Sequence, residues 1–267
     1  MNKILITGAT DGIGLETAKL LAAKGHHLLI HGRSEQKLAD TKTALHDCAP
    51  NTLIDTYRAD LSRFDDIQSL LVSITSGHSS IDIIINNAGV LKTPTPITPE
   101  GFDVRFVVNT FAPYILAKGL IPSLSSDGRI INLSSAAQAP INIDAMEGNV
   151  VLSEAFQAYA QSKLALTIWS QELAKDLSNS QVSVAVNPGS LLASKMVKEG
   201  FGVAGNDLSV GANILVRAAL SEEFARASGQ YYDNDEQQFA PPHADATNPA
   251  ICEQVMASIH KITSQFC

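Results

Sequence analysis

Tyr159 and Lys163 stand four residues apart in Ala158-Tyr159-Ala160-Gln161-Ser162-Lys163. The surrounding stretch, 153–178, has the composition and apolar period of a helix, which puts both side chains on one face. A free phenol titrates at about 10 and is a poor base at neutrality. An ammonium one turn away favours the phenolate and brings the group toward the working range of a general acid or base. The same pair also fits an ordinary helix with a packed Tyr and an exposed Lys, so its weight depends on its company.

A second chemistry lies near the N-terminus. Thr7-Gly8-Ala9-Thr10-Asp11-Gly12-Ile13-Gly14 follows one apolar run and opens a helical one. Glycines spaced G-x-x-x-G-x-G let the turn tighten and let the N–H groups at the helix start approach a pyrophosphate. Alone, the turn reads equally well as a plain tight turn. In its strand-to-helix setting it is expected to hold a dinucleotide through Gly8, Thr10, Asp11, Gly12, Ile13 and Gly14. Such proteins usually end the second strand with an acid for the adenosine ribose; here Gly32 takes that place and Arg33 follows. A guanidinium there suits a 2′-phosphate. NADP(H) is therefore expected over NAD(H), which stays open, and a solvated Arg at a strand end is the plainer alternative. Asp11 pulls the other way if it lies near the adenosine, although a helix N-cap needs no cofactor to explain it.

These residues need a scaffold that gathers them. Short β-type runs at 3–7, 27–31, 52–58, 81–85, 129–133 and 181–186 alternate with helical segments at 12–24, 34–48, 62–76, 99–120 and 153–178, and a last helix is expected at 250–262. Several runs are apolar on both sides of the alternation, Ile81-Asp82-Ile83-Ile84-Ile85 above all, as strands covered on both faces should be. The fold class is therefore α/β, a doubly wound parallel sheet of the Rossmann type, in a single domain spanning 1–267. Residues 237–249, with Pro241-Pro242, are expected to cross the surface. Apolar residues make up 45% of 267, enough for a sizeable core, and 19 basic against 27 acidic residues give a net charge of −8. With no basic run, nucleic acid is not an expected partner. No signal-peptide core precedes Ile4 and no uninterrupted apolar stretch approaches a membrane span. Cys48, Cys252 and Cys267 are odd in number and scattered, so neither a disulfide frame nor a metal site is expected, and a cytoplasmic, reducing setting is.

Three further motifs follow the glycine turn in order: Asn86-Asn87-Ala88-Gly89 after the fourth run, Ser134-Ser135 after the fifth, and Tyr159-x-x-x-Lys163 on its helix. With them the chain resembles the short-chain dehydrogenase/reductase family over essentially its whole length. The resemblance implies an oxidoreductase that interconverts a carbonyl and an alcohol, with Asn109, Ser135, Tyr159 and Lys163 as its catalytic residues. Tyr159 would pass the proton, Lys163 would also bond the nicotinamide ribose, and Ser135 would hydrogen-bond the substrate oxygen, leaving Ser134 as the structural member of its pair. Asn109 matches the residue whose main-chain carbonyl holds a relay water. Pro113, four residues on, has no N–H, so that carbonyl loses its helical partner and the helix should kink; a kinked core helix with a satisfied Asn is the alternative. By the same resemblance Asp60-Leu61 would hold the adenine, Asn87-Ala88-Gly89 would pass under the adenosine and ribose, and Pro188-Gly189 would wrap the nicotinamide. The carboxamide partner stays open between Ser190 and Ser194.

Ser135 and Tyr159 are 24 positions apart, a longer interval than in many members. That interval, the residues around Tyr159 and the segment Ser228-Gly229-Gln230-Tyr231-Tyr232 resemble the retinol dehydrogenase-like branch, which implies a lipophilic carbonyl or alcohol. Relatives there commonly carry a membrane anchor before the first strand, whereas this sequence starts at the strand, so no membrane partner is expected. Leu191, Leu192, Met196, Val197, Phe201 and Val203 fall where the family has its substrate lid, around 189–210, and suit an apolar pocket as readily as simple packing on the core. A homodimer or homotetramer built on the helices carrying Asn109 and Tyr159 is implied by resemblance. A catalytically silent NADP-binding regulator has no need of all four catalytic residues. A serine hydrolase lacks its G-x-S-x-G elbow and a His placed to serve Ser135.

Overall fold

Runs that are apolar on both sides can be satisfied only between two layers of helix, and that is where they lie. The computed structural model describes residues 1–193, 196, 202 and 204–266. Its strands are β1 (Lys3–Ile6), β2 (His27–Gly32), β3 (Ile54–Arg58), β4 (Ile81–Asn86), β5 (Leu124–Leu133), β6 (Val182–Asn187), β7 (Tyr231–Asp233) and β8 (Gln238–Phe239). They form one sheet in the order β3-β2-β1-β4-β5-β6-β7-β8, parallel throughout except for β7 against β8. The helices are α1 (Gly12–Ala23), α2 (Glu35–Cys48), α3 (Phe64–Gly77), α4 (Val104–Phe106), α5 (Ala112–Leu120), α6 (Ile143–Met146), α7 (Ala155–Leu173), α8 (Leu208–Leu220) and α9 (Pro249–Thr263). The expected doubly wound α/β sheet is present.

Alternate residues of one strand serve opposite cores. Ile4, Ile6, Ile83 and Ile85 pack with α1, α2 and α8 through Leu21, Leu38 and Leu215. Leu5, Ile84 and Ile130 pack with α3, α5, α7 and α9 through Phe64, Leu116, Trp169 and Ile259. Each fully buried side chain of this size contributes roughly 1.5–3 kcal/mol. β1 pairs with both β2 and β4, so the winding reverses between β1 and β4. The crevice beyond their carboxyl ends is where such sheets bind ligands.

Several boundaries differ from expectation. The helix expected at 99–120 begins at Val104, because Gly101 takes φ +91 and the Asp103 carboxylate caps the Arg105 N–H at 2.9 Å. Further along, Val107–Phe111 forms a wide π-type turn whose Val107 carbonyl accepts from the Ala112 N–H. The disturbance expected as a kink thus takes the form of this turn just before Pro113. The run Val104–Ser123 is apolar and long enough to cross a membrane, against the expectation that no stretch is, but it is largely buried inside the protein, with Phe106, Phe111 and Leu116 inaccessible. Strands β7 and β8 and helix α8 were not anticipated; β8 and a short 3-10 turn, Ala244–Thr247, interrupt the surface crossing at 237–249.

Candidate active site

The glycine turn is built by exclusion. Gly8 and Gly12 take φ +66 and +54, a region that costs other residues strain. A Cβ on Gly14 would lie 2.3 Å from the Gly8 carbonyl oxygen and 2.4 Å from Asn87 Nδ2. Across the crevice, Thr7 Oγ1 accepts from the N–H groups of Asn87 and Ala88, both at 3.1 Å. Asn87 Nδ2 returns hydrogen bonds to the carbonyls of Thr7 at 2.9 Å and Gly8 at 3.1 Å. The glycine turn and Asn87-Ala88-Gly89 are therefore one unit. Asn86 points the other way, donating to Asn132 Oδ1 in the buried interior at 2.8 Å. His31, which sequence reasoning missed, supports the turn from β2: its Nδ1 accepts from the Gly8 N–H at 3.3 Å and its Nε2 donates to the Ala59 carbonyl at 3.1 Å. Burial lowers the His31 pKa to about 4, keeping it in the neutral form that this bonding requires. A histidine inside an otherwise apolar strand was the available signal.

At the far end of the turn, Asp11 caps α1 by accepting from the Gly12 N–H at 2.9 Å, and its second oxygen receives Lys37 Nζ at 3.2 Å. Arg33 is exposed and makes no hydrogen bond or ion pair with the described residues. A Cβ on Gly32 would lie 2.6 Å from Thr10 Cγ2, so Thr10 covers the place where an acid would stand. Ile13 faces α8, within 3.2 Å of where a Gly211 Cβ would sit. After β3, Asp60 accepts from the Ser62 N–H and hydroxyl at 3.0 and 2.8 Å. The Leu61 side chain is only 3% exposed and belongs to the core. The closed Gly14 cradle at the start of α1 fits the pyrophosphate of a dinucleotide, and Arg33 stands exposed at the end of β2.

The reactive groups meet where β4, β5 and α7 converge. Lys163 Nζ donates to the Leu133 carbonyl at 2.6 Å and stands 5.8 Å from the centroid of the Tyr159 ring. Burial lowers its pKa to about 7. A Cβ on Gly89 would come within 3.3 Å of Asn109 Oδ1, 3.6 Å of Lys163 Nζ and 3.7 Å of Met196 Cε, so one glycine marks the convergence. The Asn109 side chain is fully engaged: Oδ1 accepts from the Val90 N–H at 2.8 Å, while Nδ2 donates to the Val90 carbonyl at 3.0 Å and Ser162 Oγ at 2.9 Å. Its main-chain carbonyl lies within the π-type turn, and Pro113, four residues on, carries no N–H.

Tyr159 departs from expectation. Burial raises its pKa, and a hydrogen bond with the Ser135 side chain only partly offsets this. Lys163 directs its amine at a carbonyl and not at the phenol, so the lowering comes from Ser135 and burial outweighs it. Ser134 Oγ bonds Thr167 Oγ1 of α7 at 2.6 Å, whereas Ser135 faces Tyr159. The Ser135 carbonyl accepts from Gln138 Nε2 at 2.9 Å and the Tyr231 hydroxyl at 3.2 Å, two supports that sequence reasoning missed. Pro188-Gly189 follows β6, with Gly189 at φ +120. The Ser190 hydroxyl is bonded to Asp235 at 2.6 Å. Of the expected lid, Leu191 is half-exposed and Leu192 buried; Ser194, Val197, Phe201 and Val203 lie outside the described residues.

Comparison with known proteins follows this geometry. The family model for short chain dehydrogenases matches residues 2–201. The chain is similar to retinol dehydrogenase 13 of Homo sapiens, 30% identical over 263 residues, covering 91% of this chain and 79% of that protein. It is also similar to the chloroplastic short-chain dehydrogenase TIC 32 A of Brassica napus, 29% identical over 252 residues, covering 85% and 78%. Among solved structures, a short chain dehydrogenase from Shigella flexneri complexed with NADP superposes with a TM-score of 0.70 at 25% identity, covering 88% of this chain and 97% of that one.

Proposed function

The chain belongs to the short-chain dehydrogenase/reductase family, in its retinol dehydrogenase-like branch, and on that premise we propose that it interconverts a carbonyl and an alcohol using NADP(H). When bound, the nicotinamide supplies or accepts the hydride. The observation that carries the reading is the meeting of Ser135, Tyr159, Lys163 and Asn109 beside the glycine turn, on one crevice.

Ser135 bonds the substrate oxygen and steadies its developing charge, and Tyr159 gives its phenolic proton to that oxygen in the reducing direction. Lys163, titrating at about 7, both holds and releases a proton near neutrality. The Asn109 carbonyl, inside the π-type turn and four residues before a proline that carries no N–H, is the acceptor for a relay water. Three features favour NADP(H) over NAD(H): the uncommitted Arg33, the Lys37 that occupies the Asp11 carboxylate, and the Thr10 methyl over Gly32. An apolar substrate is supported by Phe156, half-exposed with its ring centroid 6.5 Å from that of Tyr159, and by exposed Leu191. A reducing cytoplasm would keep Cys48 and Cys252 as the free thiols they are.

The test is titration with NADPH and NADH by nicotinamide fluorescence, followed by a panel of apolar aldehydes, ketones and quinones. We expect tighter NADPH binding, turnover on at least one carbonyl, and a Tyr159→Phe variant that keeps NADPH affinity while losing about a hundredfold or more in kcat. Binding without turnover on any carbonyl would leave a regulatory protein, and no binding of either nucleotide would defeat the reading from the glycine turn onward.

A further inference from the structure

Beyond β6 the chain passes through Asn187-Pro188-Gly189-Ser190, the segment read above as the nicotinamide side of the site. Three donors from it converge on one carboxylate of the β7–β8 turn. The Ser190 N–H donates to Asp235 Oδ1 at 2.8 Å, the Ser190 hydroxyl to Oδ2 at 2.6 Å, and Asn187 Nδ2 to Oδ2 at 2.9 Å. The turn is itself tied down. The Asp235 N–H donates to Asp233 Oδ1 at 2.9 Å, which also receives Asn187 Nδ2 at 2.9 Å. Asn234 Nδ2 reaches the Pro188 carbonyl at 2.9 Å, and its N–H reaches the Asn187 carbonyl at 3.2 Å.

We propose that Asp235 is a positioning residue for the cofactor: it fixes Ser190, and through it Pro188-Gly189, on the nicotinamide side of the crevice. The proposal rests on the reading of the crevice as an NADP(H) site. A carboxylate is the group the arrangement demands, because it accepts at both oxygens and carries no proton to oppose a donor. Burial works to raise the Asp235 pKa, and the hydrogen bonds from Ser190 and Asn187 outweigh it and hold the group below its ordinary range, so the acceptor form prevails at neutrality. Asparagine keeps the shape but turns an N–H₂ either toward the Ser190 N–H or toward Asn187 Nδ2, setting donor against donor. A negative charge near an anionic cofactor gains nothing by attraction. Its value here lies in the loop it organises.

The test compares wild type, Asp235→Asn and Ser190→Ala for binding of NADPH and of 2′,5′-ADP, a fragment carrying only the adenosine half. We expect Asp235→Asn to weaken NADPH about fivefold, hydrogen bonds to an exposed carboxylate being worth less than buried ones, with 2′,5′-ADP affinity and melting temperature unchanged. Ser190→Ala, which removes one of the three bonds, should weaken NADPH by a smaller factor, and the double variant should fall short of the product of the two. Unchanged NADPH affinity in Asp235→Asn, or equal loss of both ligands, would overturn the positioning role alone. Wild-type protein that binds no NADPH would overturn it together with the proposed function. Should Asp235→Asn fail to fold, an unchanged NADPH affinity in Ser190→Ala would have the same overturning force.

Discussion

Lys163 is an amine at 3% exposure whose hydrogen bond among the described residues goes to the Leu133 carbonyl, so charging it there is costly. Its folded pKa of about 7 lies below the ordinary 10.5, so between these values the unfolded chain holds a proton that the folded chain has shed, and stability rises with pH across the window. Lys163→Met should therefore raise Tm by about 3 °C or more at pH 7, by less at pH 10, while turnover collapses; a fall in Tm at pH 7 would contradict this. His31 acts at lower pH. With a folded pKa of about 4 against 6.5, its burial adds a cost to folding that is absent above pH 6.5 and grows toward about 3 kcal/mol as pH falls through 4. Urea denaturation of wild type and His31→Asn should show a difference that shrinks across that range, and a constant difference would refute the assignment. Tyr159 and Lys163 were legible because a four-residue interval on a helix fixes a shared face, and the wide turn at Asn109 was foreshadowed by Pro113. His31, Tyr231 and Asp235 were not, because each acts on a loop 23, 96 or 45 residues away, and such a partnership leaves no period in the sequence.

Among the elements, the glycine turn has the least latitude. A methyl on Gly14 meets backbone at 2.3 Å, where neither partner can swing aside, while Gly77 at the end of α3 would place its Cβ 3.4 Å from the Tyr57 hydroxyl. Gly14→Ala should cost about 3 kcal/mol or more and abolish NADPH binding. Gly77→Ala should leave binding intact and shift stability by less than about 1 kcal/mol. Urea denaturation and fluorescence titration of both variants check the contrast. Of the seven parallel strands, β1 to β6 were readable, most of them because an apolar run covered on both faces looks the same wherever it lies. Strand β7 was not, since three residues, Tyr231-Tyr232-Asp233, pair with β6 without any alternation long enough to register. The helix expected from residue 99 was drawn too long because Pro99 suits a first helical turn. The left-handed Gly101 and the Asp103 cap move the true start to Val104.

For the whole molecule, the C-terminal helix decides which faces remain available. Val255, Ile259 and Ile262 of α9 share one core with Leu164, Ile168 and Trp169 of α7, and His260 Nε2 meets the Tyr114 hydroxyl of α5 at 2.8 Å. The helices expected to pair two copies are thus covered within one chain, and a symmetric contact through them would need α9 to leave. Any pairing of two copies should therefore give crosslinks outside α5 and α7, and a dimer crosslinked through α7 would show that α9 yields. The order of the strands bears on how such a chain is made. From the central β1, β2 and β3 are laid outward on one side, then β4 to β8 on the other, each beside the strand made before it or on the open edge of β1. Among the described residues no strand is inserted between two already joined. Growth of the sheet therefore follows the direction of synthesis, and a chain leaving the ribosome never has to undo a pairing to admit the next segment.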